Sequence, residues 1–358
     1  MRILIVKLSA IGDVIQSLCV ASSLKRGIKD IEISWVVSEA AYPLLKNHPL
    51  IDHVFLLPRR RWGKMVSNIF AWPKLLSEIG EFVSQIRYQE FDVVVDLQGL
   101  FKSGLVTFIS KSNRKVGFPN TREFSYIFLN EKLPPYDIEK HAVLRYVKVA
   151  SYLGGDISDI SKIDFPLAIK DSDRDYIDKL VKGCGDIIAL NVGASWPNKK
   201  WTVEGFSELA KEIYKKWGLS PVITGGRADE DFANKIEEKI KKTETKVINL
   251  AGKTSLLELA ALFERSKAVV TSDSGPMHLA VAAGARVVAL FGPTAPWRTG
   301  PFGEDHKIVR TNISCSPCFK RRCDDPKCMK AILVSDVVSA IEEVLRDQKS
   351  DSITNILN

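Results

Sequence analysis

The chain has 358 residues, 45% hydrophobic and 26% charged, with a net charge of +8. That length exceeds the point at which one core stops growing and predicts two domains, while the composition excludes a disordered chain. The basic balance favours an acidic partner, namely nucleic acid, an anionic membrane surface or a phosphorylated substrate, without choosing among them.

The chain opens on Arg2-Ile-Leu-Ile-Val-Lys-Leu8, an apolar, β-branched run that reads as a buried parallel strand. It passes into Ser9-Ala-Ile-Gly-Asp-Val-Ile-Gln-Ser-Leu18, where one carboxylate, Asp13, stands at a helix start just past the strand's carboxyl end. Open α/β sheets place ligand chemistry there, although on the residues alone Asp13 reads more readily as a helix N-cap. Apolar strands expected at 31–37, 51–58 and 91–97 alternate with helical stretches, the rhythm of a βαβ sheet. A polar run, Lys170-Asp-Ser-Asp-Arg-Asp175, then precedes a restart at Ile187-Ile-Ala-Leu-Asn-Val-Gly193. Strands near 221–224, 247–250, 268–272 and 286–291 follow, separated by helices at about 203–217, 229–242, 255–265 and 276–283. The expected fold is α/β, with two Rossmann-like, doubly wound domains facing across a cleft. Residues 1–170 form the first and 171–334 the second, and a final helical segment lies within 335–358. No stretch reaches the roughly 18 apolar residues of a membrane span, so a cytoplasmic protein is expected.

A dinucleotide-dependent dehydrogenase needs G-x-G-x-x-G after its first strand; the first turn offers only Gly12, and Thr224-Gly-Gly-Arg-Ala-Asp229 also lacks the pattern. The segment richest in chemistry is Val270-Thr-Ser-Asp-Ser-Gly-Pro-Met-His-Leu-Ala280, a strand that opens directly into a helix. Ser274, Gly275 and the amides after them make a donor-rich helix start suited to a diphosphate, while Asp273 or Ser274 also suits a plain N-cap. In Asn191-Val-Gly-Ala-Ser-Trp-Pro-Asn-Lys-Lys-Trp201, Lys199 or Lys200 can neutralise charge on a leaving phosphate or remain a solvated surface cation. The Gly- and Pro-rich Phe291–Pro301 loop reads as a rigid wall. Two D-x-D matches, Asp171-Ser-Asp173 and Asp229-Glu-Asp231, read as caps rather than Mg²⁺ ligands.

Cys19 and Cys184 are isolated and read as small buried residues. Cys315, Cys318, Cys323 and Cys328 have the count for a structural Zn²⁺ site or an iron-sulfur cluster, and equally for unligated thiols or disulfides. They are assigned structure, not catalysis. A zinc-containing nucleic-acid-binding module is the competing class, but near these cysteines Lys320-Arg-Arg322 is only a small basic patch.

Arg2-Ile-Leu-Ile-Val-Lys7 with Gly12-Asp13-Val14, Asp96-Leu-Gln-Gly-Leu100, Lys199-Lys-Trp201, Asp273-Ser-Gly-Pro-Met-His278 and Phe291-Gly-Pro-Thr294 together resemble the glycosyltransferase family 9 heptosyltransferases. The likeness runs over nearly the whole chain, and several motifs in order are far more specific than one. Within that family, Arg60-Arg-Trp-Gly-Lys64, Asp96-Leu-Gln-Gly-Leu-Phe-Lys-Ser103, Thr121-Arg-Glu123 and His141-Ala-Val143 are most similar to the type I branch. The resemblance implies a GT-B fold, with the last helix packing back on the N-terminal domain. It implies inverting, metal-independent transfer of L-glycero-D-manno-heptose from ADP-heptose to the Kdo of Kdo-lipid A, fully active in chelator, with no nucleic-acid partner. A family 9 transferase with another donor or acceptor, such as types II or III, is the near alternative.

Residue by residue, the resemblance makes Asp13 the catalytic base, since an aspartate with a reference pKa of about 3.9 is ionised at neutral pH. Lys199 faces the donor phosphates. Ser195, Glu230, Thr254, Asp273, Ser274, Gly275 and His278 contact the donor, with Thr254 standing where a relative has methionine. Lys7, Arg60, Arg61, Lys64 and Arg122 meet acceptor carboxylates and phosphate. Pro58–Met65 and Ile69-Phe-Ala-Trp72 mix cations with large apolar groups; this suits an anionic bilayer, at roughly 1 kcal/mol per cation, or a solvated loop. The expected location is peripheral, on the inner face of the cytoplasmic membrane.

Overall fold

The computed structural model describes residues 1–241 and 243–354, side chains at 161 and 347–354 excepted. The chain divides into two compact units, 1–168 and 169–358, where the sequence placed the boundary at 170.

The first unit holds β1 (Arg2–Val6), β2 (Glu32–Ser38), β3 (His53–Leu57), β4 (Val93–Asp96), β5 (Lys115–Gly117) and β6 (Glu131–Lys132). All pair parallel, in the order β3-β2-β1-β4-β5-β6. The second holds β7 (Ile187–Asn191), β8 (Ser220–Thr224), β9 (Ile248–Asn249), β10 (Ala268–Ser272), β11 (Val287–Phe291) and β12 (Lys307–Arg310), parallel in the order β12-β11-β10-β7-β8-β9. Both orders are that of the doubly wound dinucleotide-binding fold. Helices cover both faces, so central strands bury every apolar side chain: Ile3, Leu4, Ile5 and Val6 in β1, and Ala268, Val269 and Val270 in β10, are inaccessible to solvent.

In each sheet the strand order reverses beside the first strand, between β1 and β4 and between β7 and β10. Val6 pairs with Asp96 at one switch point and Asn191 with Thr271 at the other. The loops leaving these strands therefore converge in pairs, which is where doubly wound sheets hold ligands.

Local signals set the helices that fix those loops. Thr202 caps helix Val203–Trp217 by accepting from the Gly205 amide at 2.9 Å, and the helix ends at Gly218 with φ of +67°, a left-handed conformation glycine adopts without cost. Ser255 and Glu258 form a reciprocal capping box at the start of helix Leu256–Arg265.

The final helix, Val334–Thr354, packs within the second unit. Val337, Ala340, Ile341 and Val344 form a stripe at helical spacing, buried against helix Val203–Trp217 and the strands β10 to β12. Lys216–Glu342 at 2.7 Å and Lys307–Glu343 at 2.9 Å flank that stripe. The sequence shows no sign of β5, β6 or β12, which are short and lie toward sheet edges, where no long apolar run is required. No helix among the described residues is long and apolar enough to cross a membrane.

Candidate functional site

At the first switch point the loop after β1 is tied to the loop after β4. Gln98 Oε1 accepts from the amides of Leu8 at 3.0 Å and Ser9 at 2.9 Å. The buried Asp96 carboxylate accepts from the Gln98 and Gly99 amides, both at 2.9 Å, and from Ser103 Oγ at 3.0 Å. Burial pushes the Asp96 carboxyl up to about 6 against these hydrogen bonds.

Lys7 Nζ donates to the Leu97 carbonyl at 3.2 Å, lies 5.4 Å from the Tyr146 ring centre and stands 3.9 Å from Asp13 Oδ2. Lys7, expected among the acceptor contacts, is buried and directs its charge at Asp13. Asp13 is the third residue of helix Ile11–Gly27, and its Oδ2 accepts from the Ala10 amide at 3.1 Å. It therefore supports the helix start from within, Ala10 holding the N-cap position, and its side chain remains 40% exposed.

Sequence reasoning did not find Arg145, a half-buried guanidinium that donates to Tyr146 Oη at 3.0 Å and stacks over the Tyr136 and Tyr146 rings at 5.4 and 4.9 Å. Tyr146 foremost, and Asp13 to a lesser degree, hold Arg145 above the usual arginine range against the opposing effect of its burial. The one signal was an Arg-Tyr pair in the helix Ala142–Tyr152 whose Tyr146 falls on the buried face with Val143, Val147, Val149 and Ala150. Lys102 was also missed; burial, then the Arg59 guanidinium, depress its ammonium.

The other cations expected at the acceptor lie on later loops and helices of the same unit. Helix Arg59–Val66 carries exposed Arg60 and Lys64, while Arg61 pairs with Glu78 at 2.8 Å. The amides of Arg60 and Arg61 both donate to Glu39 Oε1, at 2.8 and 3.3 Å, which pins this helix to the loop after β2. Arg122 is exposed ahead of the short helix Ser125–Phe128.

At the second switch point Lys199 Nζ meets Asp273 Oδ2 at 2.6 Å, and Thr294 Oγ1 donates to the same oxygen at 2.6 Å. Both partners are buried. Asp273 is thus no cap; its carboxylate joins the loops after β7, β10 and β11. Ser274 takes the N-cap position of helix Gly275–Ala282, and its buried Oγ has no hydrogen-bond partner among the described residues. This orphaned donor-acceptor, beside Gly275 and the first helix amides, suits an anionic ligand. His278 is buried one turn into that helix. Lys200 pairs with Asp229 at 2.5 Å, and Asp229 Oδ2 accepts from the Gly226 amide at 3.0 Å.

Glu230 opens helix Glu230–Ile240 with its carboxylate where a β-carbon on Gly252 would sit. Gly252, with φ of +72°, therefore meets two demands that only glycine satisfies together. Thr254 is half-buried and Ser195 exposed on the loops at this same edge. In the first D-x-D, Asp173 accepts from the Lys170 amide at 2.9 Å and Asp171 pairs with Arg174 at 3.1 Å.

Of the alternatives open for the four cysteines, the structure has the free thiols: no disulfide joins them, and no group of three or more His, Cys, Asp or Glu among the described residues is placed to hold a metal. Cys315 and Cys323 are exposed, whereas Cys328 is buried with Met329 against Gly292. Burial, ahead of the neighbouring Cys315 and Cys318, raises the Cys328 thiol.

The sequence profile of glycosyltransferase family 9 (heptosyltransferase) matches residues 79–329. The chain is 29% identical to lipopolysaccharide heptosyltransferase 1 of Campylobacter coli, over 97% of this chain and 100% of the relative. Among solved structures it is similar to the E. coli heptosyltransferase WaaC with ADP, with a TM-score of 0.78, 24% identity and coverage of 96% and 100%. The E. coli ADP-heptose lps heptosyltransferase II is alike to nearly the same degree, with a TM-score of 0.75, 23% identity and coverage of 98% and 100%. The two six-stranded parallel sheets are those of the GT-B architecture. The chain belongs to glycosyltransferase family 9, the heptosyltransferases, and is a glycosyltransferase.

Proposed function

We propose that this heptosyltransferase of lipopolysaccharide core synthesis moves L-glycero-D-manno-heptose from ADP-heptose to the Kdo of Kdo-lipid A, with inversion and without a catalytic metal. The acceptor hydroxyl attacks the anomeric carbon, the bond to the diphosphate oxygen breaks, the hydroxyl proton passes to Asp13, and ADP departs. The observation that carries this reading is the half-open Asp13 carboxylate, 3.9 Å from Lys7 at the carboxyl edge of the first sheet. A general base must be reachable by its substrate and oriented by neighbours, and Asp13 meets both conditions.

On the donor side, Lys199 and the Ser274–Gly275 helix start favour a diphosphate leaving group, and Glu230, Asp273 and His278 line the same sheet edge as further donor contacts. Ser195 and Thr254 complete that set. For the acceptor, Arg60, Arg61, Lys64 and Arg122 supply forked and point cations for carboxylates and phosphate.

The type I assignment rests on the end-to-end likeness to a heptosyltransferase 1. Type II, which acts on a heptosylated core, is the second reading, favoured by the comparable likeness to a heptosyltransferase II. Acceptor-dependent ADP release from ADP-L-glycero-β-D-manno-heptose separates them. Release with Kdo2-lipid A in the presence of chelator is expected. Release only with a heptosylated acceptor selects type II, and no release with either overturns the donor assignment.

The acceptor is a lipid, and the surface of the first unit suits a peripheral contact with the anionic inner face of the cytoplasmic membrane. Phe70 is 92% exposed, with Ile69, Trp72 and Leu76 exposed around it and Arg60 and Lys64 close in sequence. Binding to anionic vesicles that weakens with salt is the expected result.

A further inference from the structure

The cysteine-rich segment has no part in the chemistry above, yet it is fastened to the loops that perform it. Ser316 Oγ donates to the Gly292 carbonyl at 2.6 Å, and the amides of Cys318 and Phe319 both donate to the Pro293 carbonyl, at 3.1 and 2.8 Å. Those contacts seat the segment on the turn that carries Thr294, the residue hydrogen-bonded to Asp273. Farther along, the Lys320 carbonyl accepts from Asn198 Nδ2 at 2.7 Å, one residue before Lys199. The next residue is Arg321, whose guanidinium carbon lies 5.6 Å from the centre of the Trp196 ring. Lys199 Nζ lies over that same ring at 4.3 Å, so the two cations are no farther apart than these distances combined, about 10 Å.

Charge decides what Arg321 is for. Lys199 is matched by Asp273 and Lys200 by Asp229, so each of these pairs is electrically neutral. A nucleoside diphosphate carries more than one negative charge, and a neutral pair offsets little of it. Arg321 is exposed and has no carboxylate partner among the described residues. A guanidinium also offers paired donors that match phosphate oxygens, and an aromatic ring beneath it limits the entropy lost on binding.

We infer that Arg321 is a second diphosphate-binding cation of the donor site, brought there by the cysteine-rich segment through its hydrogen bonds to the 292–293 turn and to Asn198. The inference rests on the donor reading given above. It also gives the segment a role that does not depend on the state of its thiols.

The test measures binding of ADP, AMP and adenosine to the full chain and to Arg321→Gln and Arg321→Lys. The expected result is that Arg321→Gln loses about tenfold in ADP affinity, less for AMP and nothing for adenosine, while Arg321→Lys recovers most of the loss. ADP binding by Arg321→Gln equal to that of the wild type overturns the assignment. Equal losses for ADP and adenosine overturn it too, because they report a disturbed pocket rather than a missing charge. Failure of the unaltered chain to bind ADP overturns the donor reading itself, a distinct result from either.

Discussion

Each half of the chain sets a buried lysine beside an aspartate at the switch point of its sheet, and the two pairs are built differently. In the second unit the Lys199–Asp273 contact is 2.6 Å, Thr294 donates to the same carboxylate oxygen, and the Asp273 side chain is 8% exposed. In the first, Lys7 stands 3.9 Å from Asp13, whose side chain is 40% exposed. A buried carboxylate with one oxygen held by two buried donors organises loops and is a poor base. One held at a distance from its cation, open to solvent, can accept a proton. The difference teaches that matching topology does not assign matching roles: the closed pair joins loops, and the open pair leaves its carboxylate within reach of solvent, as the base role proposed above requires.

Breaking the closed pair gives the largest expected change in stability. Asp273→Ala leaves Lys199 buried without its counter-ion, and a loss of about 3–5 kcal/mol is expected in denaturant unfolding. The double variant Lys199→Met, Asp273→Leu should recover most of that stability while losing ADP affinity, because apolar groups of similar size replace the pair without an orphaned charge. Stability unaltered in Asp273→Ala would erase the distinction between the two pairs.

A smaller effect sharpens the comparison from the first unit. Asp96 holds the Gln98 strap, and its folded value of about 6 exceeds the ordinary 3.8. Between these values the folded chain keeps a proton that the unfolded chain releases, so this group's contribution to stability is fully present below about pH 4 and is lost as pH rises through about 6. At 1.36 kcal/mol per unit the loss is at most about 3 kcal/mol. Unfolding midpoints from pH 4 to 7 should show that fall in the wild type and its absence in Asp96→Asn.

Openness in the first unit extends to its surface. Phe70→Ser should weaken partitioning onto anionic vesicles by about tenfold, the effect of removing most of one buried aromatic side chain. Arg60→Ala is expected to act less, raising the KM for acceptor a few-fold with little change in kcat, as fits a cation that binds substrate and transition state alike.

Much of this was legible from residue order. Apolar runs such as Ile3–Val6 and Ala268–Val270 are the central strands because both of their faces are covered, which leaves little room for polar alternation. Lys115–Gly117, Glu131–Lys132 and Lys307–Arg310 were not legible, being too short and polar to stand out. Asp13 could be picked out because a turn of small residues isolates it after a strand. Arg145 could not, since 132 positions separate it from Asp13 and only the folded chain brings helix Ala142–Tyr152 against helix Ile11–Gly27. Likewise, Lys199 and Asp273 were each singled out as donor contacts, yet their mutual neutralisation is a tertiary fact that no local pattern encodes.

The most direct test of the contrast is Asp13→Asn, with acceptor-dependent ADP release and thermal unfolding measured on the same preparation. Asparagine keeps an oxygen for the Ala10 amide but cannot serve as the base. The account predicts that turnover falls by about 100-fold or more while the unfolding midpoint stays within about 3 °C of the wild type. Turnover that survives the substitution, or that is lost only because the variant unfolds, would contradict the assignment of Asp13 as the reactive member of the two pairs.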